Sequence, residues 1–203
     1  LFRSCQQFVK DYLDTICHLY SDEEVWYRFS ELTNAEANIL DGTKEYFDEL
    51  FRISKNQIVW GANHFISLLP FDSSCWLVWD KDNTGDFADC ELAWTSFNTA
   101  IRKFKWKWQG MLQQNMKNKQ ERIHPTEKPI ELYEFCIRNY ADKGFKIIDT
   151  HLGSGSIALA IDKANKLDNM NLEFVGIELD AEYFNAALNR FKLAHVQQTL
   201  FTL

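Results

Sequence analysis

Residues 147–167 read IIDTHLGSGSIALAIDKANKL. An apolar run ends on an acid, bends through two glycines, and continues with helical spacing. That order dictates a strand, a tight turn and a helix in immediate succession, since glycine tolerates the backbone angles a sharp turn needs. A second unit follows. NLEFVGIELD reads as a strand closing on an acid, and DAEYFNAALNRFKLA as a helix with Asp180 at its N-cap. Strand, helix, strand, helix implies right-handed crossovers, hence an α/β chain with a mostly parallel sheet and helices on both faces.

Ligands of open parallel sheets lie beyond the carboxyl ends of the strands. Asp149 and Glu178 stand at the ends of these two strands, with Gly153 and Gly155 between them. A carboxylate after the second strand suits a ribose diol, because it accepts two hydroxyl hydrogen bonds. Asp149 suits a cationic group or an ordered water. A dinucleotide site calls for G-x-G-x-x-G, and its pyrophosphate is repelled by an acid at the strand end. Here the turn reads Gly153-Ser154-Gly155-Ser156, with no third glycine. S-adenosylmethionine carries a sulfonium and an amine and no phosphate, so acids favour it. The plainer alternative makes Asp149 a helix-entry residue with no ligand.

The rest of the chain is read more coarsely. LFRSCQQFVKDYLDTICHLY has helical spacing, SDEEVWYRFSELTNAEANILDG reads as loop and short helix, and KEYFDELFRISK puts Tyr46, Phe47, Leu50, Phe51 and Ile53 on one helical side. NQIVWGANHFI and CWLVWDKDN read as buried strands. FKWKW alternates Phe104, Trp106 and Trp108 against Lys105 and Lys107, a half-buried strand with a basic outer face. MLQQNMKNKQER reads as a mobile loop, and Pro129 opens an amphipathic helix.

Net charge is -7, yet residues 101–122 carry Arg102, Lys103, Lys105, Lys107, Lys117, Lys119 and Arg122 against Glu121 alone. That stretch is +6 and the remainder -13, a polarity that presents one face to a polyanion; a solvated lysine-rich face is the alternative. Five scattered cysteines without a C-x-x-C pair read as buried thiols in a reducing cytoplasm, with no metal site. No apolar run reaches the roughly 20 residues of a membrane span, and no signal-peptide pattern opens the chain. The first residue is Leu, not Met, which fits a piece of a longer reading frame.

DTHLGSGS, then FVGIELDAEYFNAALNRF, with RIHPTEKP ahead of both, resembles the permuted, beta-group DNA amino-methyltransferases. The family elements are H-P-T-x-K-P, D-P-F-x-G-S-G-T and G-x-E-x-D-x-x-Y-x-x-x-A-x-x-R, here in family order. NQIVWGANHF, WLVWDKDN and FADCELAWTS resemble the N6-adenine members. The resemblance runs from about Lys44 to Arg190 and implies a Rossmann-like methyltransferase fold over 44–203. Residues 80–122 are the expected DNA-contacting insertion and 123–203 the donor-binding half, after a poorly defined segment 1–43. It implies S-adenosylmethionine as donor, lined by Asp149, Gly153, Ser154, Gly155 and Ser156, with Glu178 on the ribose. Thr126 and Lys128 approach the methionine end, where Lys128 pairs with the carboxylate. Double-stranded DNA is the implied partner, within restriction–modification, and the basic residues of 101–122 meet its phosphates.

Thr150 and His151 stand where the family has Pro-Phe, so the pocket is lined differently there. His151 and His124 read as packing residues. The family also frees the target amine with a [DN]-P-P-[YFW] loop near the N-terminus, whose aromatic residue stacks on a flipped base. The prolines of this chain are Pro70, Pro125 and Pro129, no two adjacent. Two readings stay open: an enzyme whose copy is truncated or incomplete, with a weakened sheet, or an inactive homologue that binds DNA or a partner subunit, or forms a homodimer.

Overall fold

The computed structural model describes residues 26–31, 44–83, 88–109, 112–117 and 119–200. The main elements are β1 (Trp26–Glu31), α1 (Lys44–Ile53), β2 (Asn56–Trp60), β3 (Trp76–Asp80), β4 (Cys90–Thr95) and β5 (Arg102–Lys105). After them come β6 (Trp108–Gln109), β7 (Leu112–Gln113), α2 (Ile130–Tyr140), β8 (Lys146–Asp149), α3 (Ser156–Asp168), β9 (Glu173–Gly176) and α4 (Ala181–Leu200). Seven strands form one sheet in the order β5-β3-β4-β2-β1-β8-β9. Pairs β1–β2, β1–β8, β8–β9 and β3–β5 are parallel, and β4 alone runs opposite to its neighbours β2 and β3.

Period-two alternation sends successive residues to opposite faces, and each face carries its own core. Ile58 and Trp60 of β2 join Leu77, Trp79, Ala93 and Ile147 under α2 and α3. Val59 between them turns the other way, against Phe47 and Leu50 of α1, Phe65 and Trp94. Helices thus cover both faces, as expected. Burying each of these large side chains contributes about 1.5–3 kcal/mol, so truncating Phe47 or Trp94 to Ala costs roughly 3–5 kcal/mol.

The chain leaves β1 through α1 towards β2 on one side, and leaves β8 through α3 towards β9 on the other. The point where the order reverses lies between β1 and β8, the place where open α/β sheets bind ligands.

Several expectations are corrected. WYRFSE is a strand, not loop and short helix: β1 (Trp26–Glu31) sits between β2 and β8, so the sheet takes in residues assigned to the segment 1–43. The expected helix over residues 1–20 lies outside the described residues. Among the described residues the sheet is continuous through β1. FKWKW is not one strand. β5 ends at Lys105, where the Trp106 N–H donates to the Asp80 carbonyl at 2.9 Å, and Trp108 begins a separate two-stranded ribbon with β7. Its second strand, β7, lies inside the stretch read as a mobile loop, where Gln113 and Gln120 exchange two hydrogen bonds at 2.8 Å. Cys75 and Cys136 are buried free thiols, whereas Cys90 is exposed. Among the described residues no helix is long and apolar enough to cross a membrane.

Candidate functional site

The bend after β8 is stitched to the exit of β9 by the backbone. Ile177 N–H donates to the Asp149 carbonyl at 2.8 Å, and Leu152 N–H to the Ile177 carbonyl at 2.9 Å. The two acids then grip the same bend. Asp149 Oδ1 accepts the His151 N–H at 2.9 Å, and Glu178 Oε2 accepts the Gly153 N–H at 2.8 Å. Asp149 is 1% exposed, while Glu178 is half-buried. By the structure's boundary β9 ends at Gly176, which leaves Glu178 two residues past the strand, with its other oxygen on the Asp180 N–H at 3.0 Å. Asp180 caps α4 as expected, accepting the N–H groups of Glu182 and Tyr183 at 2.8 and 3.0 Å.

Both turn glycines adopt left-handed angles, φ 51° at Gly153 and 72° at Gly155. An L-residue there costs about 1–2 kcal/mol. Space is also short. A Cβ at Gly153 would lie 3.5 Å from the His124 ring, and one at Gly155 3.1 Å from the Ala187 Cβ. Ser154 and Ser156 contribute backbone to the turn, but their side chains are buried, 3.0 Å apart at Oγ.

The 123–128 loop folds over this turn. His124 lies between Gly153 and Tyr183 of α4, whose ring is 4.4 Å away, and its Nδ1 is 2.9 Å from the Thr126 hydroxyl. That is the packing role expected of His124. His151 likewise packs on Tyr46, with ring centroids 5.7 Å apart. The Thr150 hydroxyl lies 3.0 Å from His151 Nδ1 and 3.1 Å from the Tyr46 hydroxyl, tying α1 to the mouth. The departure from Pro-Phe therefore builds a polar link at the β8 exit.

Lys128 is 2% exposed, and its Nζ lies 3.2 Å from the Glu91 carboxylate of β4, which Lys81 also contacts. Burial alone would raise the Glu91 pKa; Lys128 and Lys81 outweigh it and hold the carboxyl below its ordinary value. The sequence did not identify Glu91, Glu127 or Arg190. Glu127 is 2% exposed and pairs with Arg190 at 3.1 Å. Arg190 is legible in retrospect: Tyr183, Ala187 and Arg190 fall at i, i+4 and i+7, one face of α4.

The basic stretch looks different in three dimensions. Lys103 pairs with Asp80 at 3.4 Å, and Lys105 and Lys107 pair with Asp82 at 2.7 and 3.3 Å. The Asp82 carboxyl is held below its ordinary range by hydrogen bonds from those two lysines, and Lys105 is raised by the same contact. Asp80 is lowered first by the Asp82 N–H and then by Lys103. Arg122 donates to the Pro125 carbonyl at 2.6 Å. Arg102, Lys117 and Lys119 are exposed and make no ion pair among the described residues. Further counter-charges come from outside the stretch, from Asp80 at the end of β3 and Asp82 in the turn after it.

Against known proteins, the N6_N4_Mtase family model, described as DNA methylase, matches residues 78–189, more than half of the chain. The chain belongs to the DNA methylase family. The matched region begins in β3 and ends in α4, so it holds the bend, both acids and the 123–128 loop. A curated relative, the type II methyltransferase M.HpaI of Haemophilus parainfluenzae, is 32% identical over 73 residues, which are 36% of this chain and 21% of that protein. Among solved structures, the M1.HpyAVI–SAM complex superposes with a TM-score of 0.59 at 20% identity, covering 91% of this chain and 94% of that one. The cytosine-N4-specific PvuII DNA methyltransferase gives 0.56 at 16% identity, covering 85% and 81%. The fold is thus the Rossmann-like methyltransferase fold, in an N6/N4-type DNA methylase.

Proposed function

We propose that this chain binds S-adenosylmethionine at the exits of β8 and β9 and serves methyl transfer to an exocyclic amine of double-stranded DNA, with adenine N6 as the target. The observation that carries the reading is the shared grip of Asp149 and Glu178 on one glycine bend beside the reversal of strand order. The residues fit the donor chemically: two carboxylates suit a sulfonium, an amine and a ribose diol, and two glycines leave room for close approach. When bound, the donor supplies an electrophilic methyl group. Asp149 would orient its cationic end or a water, Glu178 its ribose, and the backbone of Gly153, Ser154, Gly155 and Ser156 would line one wall. Thr126 lies on the facing loop. A donor carboxylate would compete with Glu91 for Lys128.

On the DNA side, Arg102, Lys117 and Lys119 are the cations to meet phosphates, with Lys103, Lys105, Lys107 and Arg122 joining as their internal contacts exchange. M.HpaI and the PvuII enzyme are named as methyltransferases, and the M1.HpyAVI structure holds SAM; these support the reading, as does the resemblance of NQIVWGANHF to N6-adenine members. The cytoplasm, where a bacterial or phage chromosome lies, is the compartment it implies.

One observation favours a second reading. β1 is an inner strand beside β8, and the residues after it read Leu32, Thr33, Asn34, Ala35, with no proline. Without a [DN]-P-P-[YFW] loop the chain would hold donor and DNA, and a partner chain would supply the chemistry. Calorimetry with S-adenosylmethionine, paired with tritiated-methyl transfer to duplex DNA, separates the two. Binding with transfer supports the enzyme. Binding without transfer supports the second reading. No binding overturns both.

A further inference from the structure

The Arg190 side chain touches three separate pieces of the site. Its Nη1 donates to the Ser154 carbonyl and to Ser156 Oγ, both at 3.1 Å. Its Nη2 donates to Gln120 Oε1 at 2.9 Å and lies 3.1 Å from Glu127 Oε1. Glu127 is spread just as widely: its Oε2 accepts the Ile123 N–H at 2.9 Å, and its carbonyl accepts the Trp108 indole N–H at 2.7 Å. The glycine turn, the 123–128 loop and α4 meet at this pair. Neither residue has been given a task so far.

We propose that Glu127 and Arg190 are positioning residues that set the glycine turn against the 123–128 loop, fixing the two walls between which the methyl donor lies. This rests on the donor reading above and deepens it.

Three physical points carry the inference. A guanidinium beside the first turn of α3 opposes the positive end of the helix dipole, so its presence there needs a compensating anion, and Glu127 is that anion. The Glu127 side chain has 0% exposure and that of Arg190 17%, so the pair acts in a poorly screened setting where geometry counts. Finally, three hydrogen-bond acceptors, the Ser154 carbonyl, Ser156 Oγ and Gln120 Oε1, together with the Glu127 carboxylate, call for the planar fork of arginine, which a lysine ammonium cannot reproduce. The i, i+4, i+7 face of α4 follows from the same contacts. Tyr183 meets His124, Ala187 closes on Gly155, and Arg190 reaches past the turn to the loop.

The test uses the 203-residue chain with Arg190→Lys, Glu127→Gln and the double variant. Donor affinity is read by calorimetry, and amide exchange of Ser154–Ile157 is read without donor. Arg190→Lys and Glu127→Gln should each weaken donor binding about tenfold, the scale on which residues in one network couple. The double variant should lose no more than the worse single one. The turn amides should exchange faster in all three, at a thermal midpoint within a few degrees of the parent. Native affinity together with native exchange in both single variants overturns the proposal. So does full rescue by lysine, and so does a variant that no longer folds, which would assign the pair to the core. If the parent binds no donor, the functional reading fails first; the exchange arm then decides the positioning claim, and native exchange rates sink it too.

Discussion

The proposed donor side and the basic arm of this DNA methylase are built on opposite plans. Around the bend at 149–156, polar groups are buried and answered locally: Asp149 by His151, Glu178 by Gly153, Ser154 by Ser156. In the arm at 101–122 most charges are exposed, and three are answered from elsewhere, Lys103 by Asp80, and Lys105 and Lys107 by Asp82. The first plan pre-organises a site, since its groups are already aimed when a ligand arrives. The second keeps a surface in exchange, since exposed pairs contribute little and are screened by salt. Lys128, buried and paired with Glu91, is the join between the two.

The sharpest way to break this contrast is at the acids. Asp149→Ala and Glu178→Ala should each abolish measurable S-adenosylmethionine binding while far-UV circular dichroism stays native. Unchanged affinity in calorimetry for both would remove the site. Next comes the join. Glu91→Gln leaves a buried Lys128 without its carboxylate, and urea unfolding should show a loss of about 3–5 kcal/mol. Its pH dependence has a definite sign. The Glu91 carboxyl lies below its ordinary value of 4.5 in the folded chain. Its stabilising contribution is therefore present above about pH 4.5 and lost as pH falls through the lower folded value. The parent minus Glu91→Gln difference in urea midpoint should shrink from pH 6 to pH 3; a constant difference would contradict the pairing.

A smaller effect separates two glycines. Gly155→Ala and Gly144→Ala both place an L-residue at positive φ, 72° and 83°, but only the former meets a neighbour, Ala187 at 3.1 Å. Each should cost about 1–2 kcal/mol for the backbone alone, with Gly155→Ala the larger in denaturant melts. Equal losses would mean that α4 yields freely to the turn. The smallest effect belongs to the arm. Lys105→Glu with Lys107→Glu should weaken duplex binding at all sequences and reduce the log–log salt slope by about 2. Asp82→Asn, which releases the same lysines, should move the slope the other way. Gel shifts over a salt series that leave both slopes untouched would reduce this face to a solvated one.

Legibility follows the same division. The strand–bend–helix at 146–168 could be read because its signals are short-range: an apolar run, an acid, two glycines, then helical spacing. β1 could not. Arg28 and Glu31 interrupt its apolar pattern, and what makes Trp26–Glu31 a strand is pairing with β2 and β8, the latter more than a hundred residues away. β4 runs against its neighbours for a similar reason, since strand direction is a property of partners and leaves no local mark.

By itself, then, the sequence determined the α/β alternation, the acids at the strand exits, the capped helix after Glu178 and the family. Each rests on contacts within a few residues or on a motif of fixed spacing. Only the tertiary structure decided that β1 lies between β2 and β8, that Asp80 and Asp82 pair with three lysines of the basic arm, that Lys128 belongs to Glu91, and that Arg190 closes on Glu127. Those outcomes depend on which distant backbones and charges come within hydrogen-bonding reach, and that distance is set by packing, not by spacing along the chain.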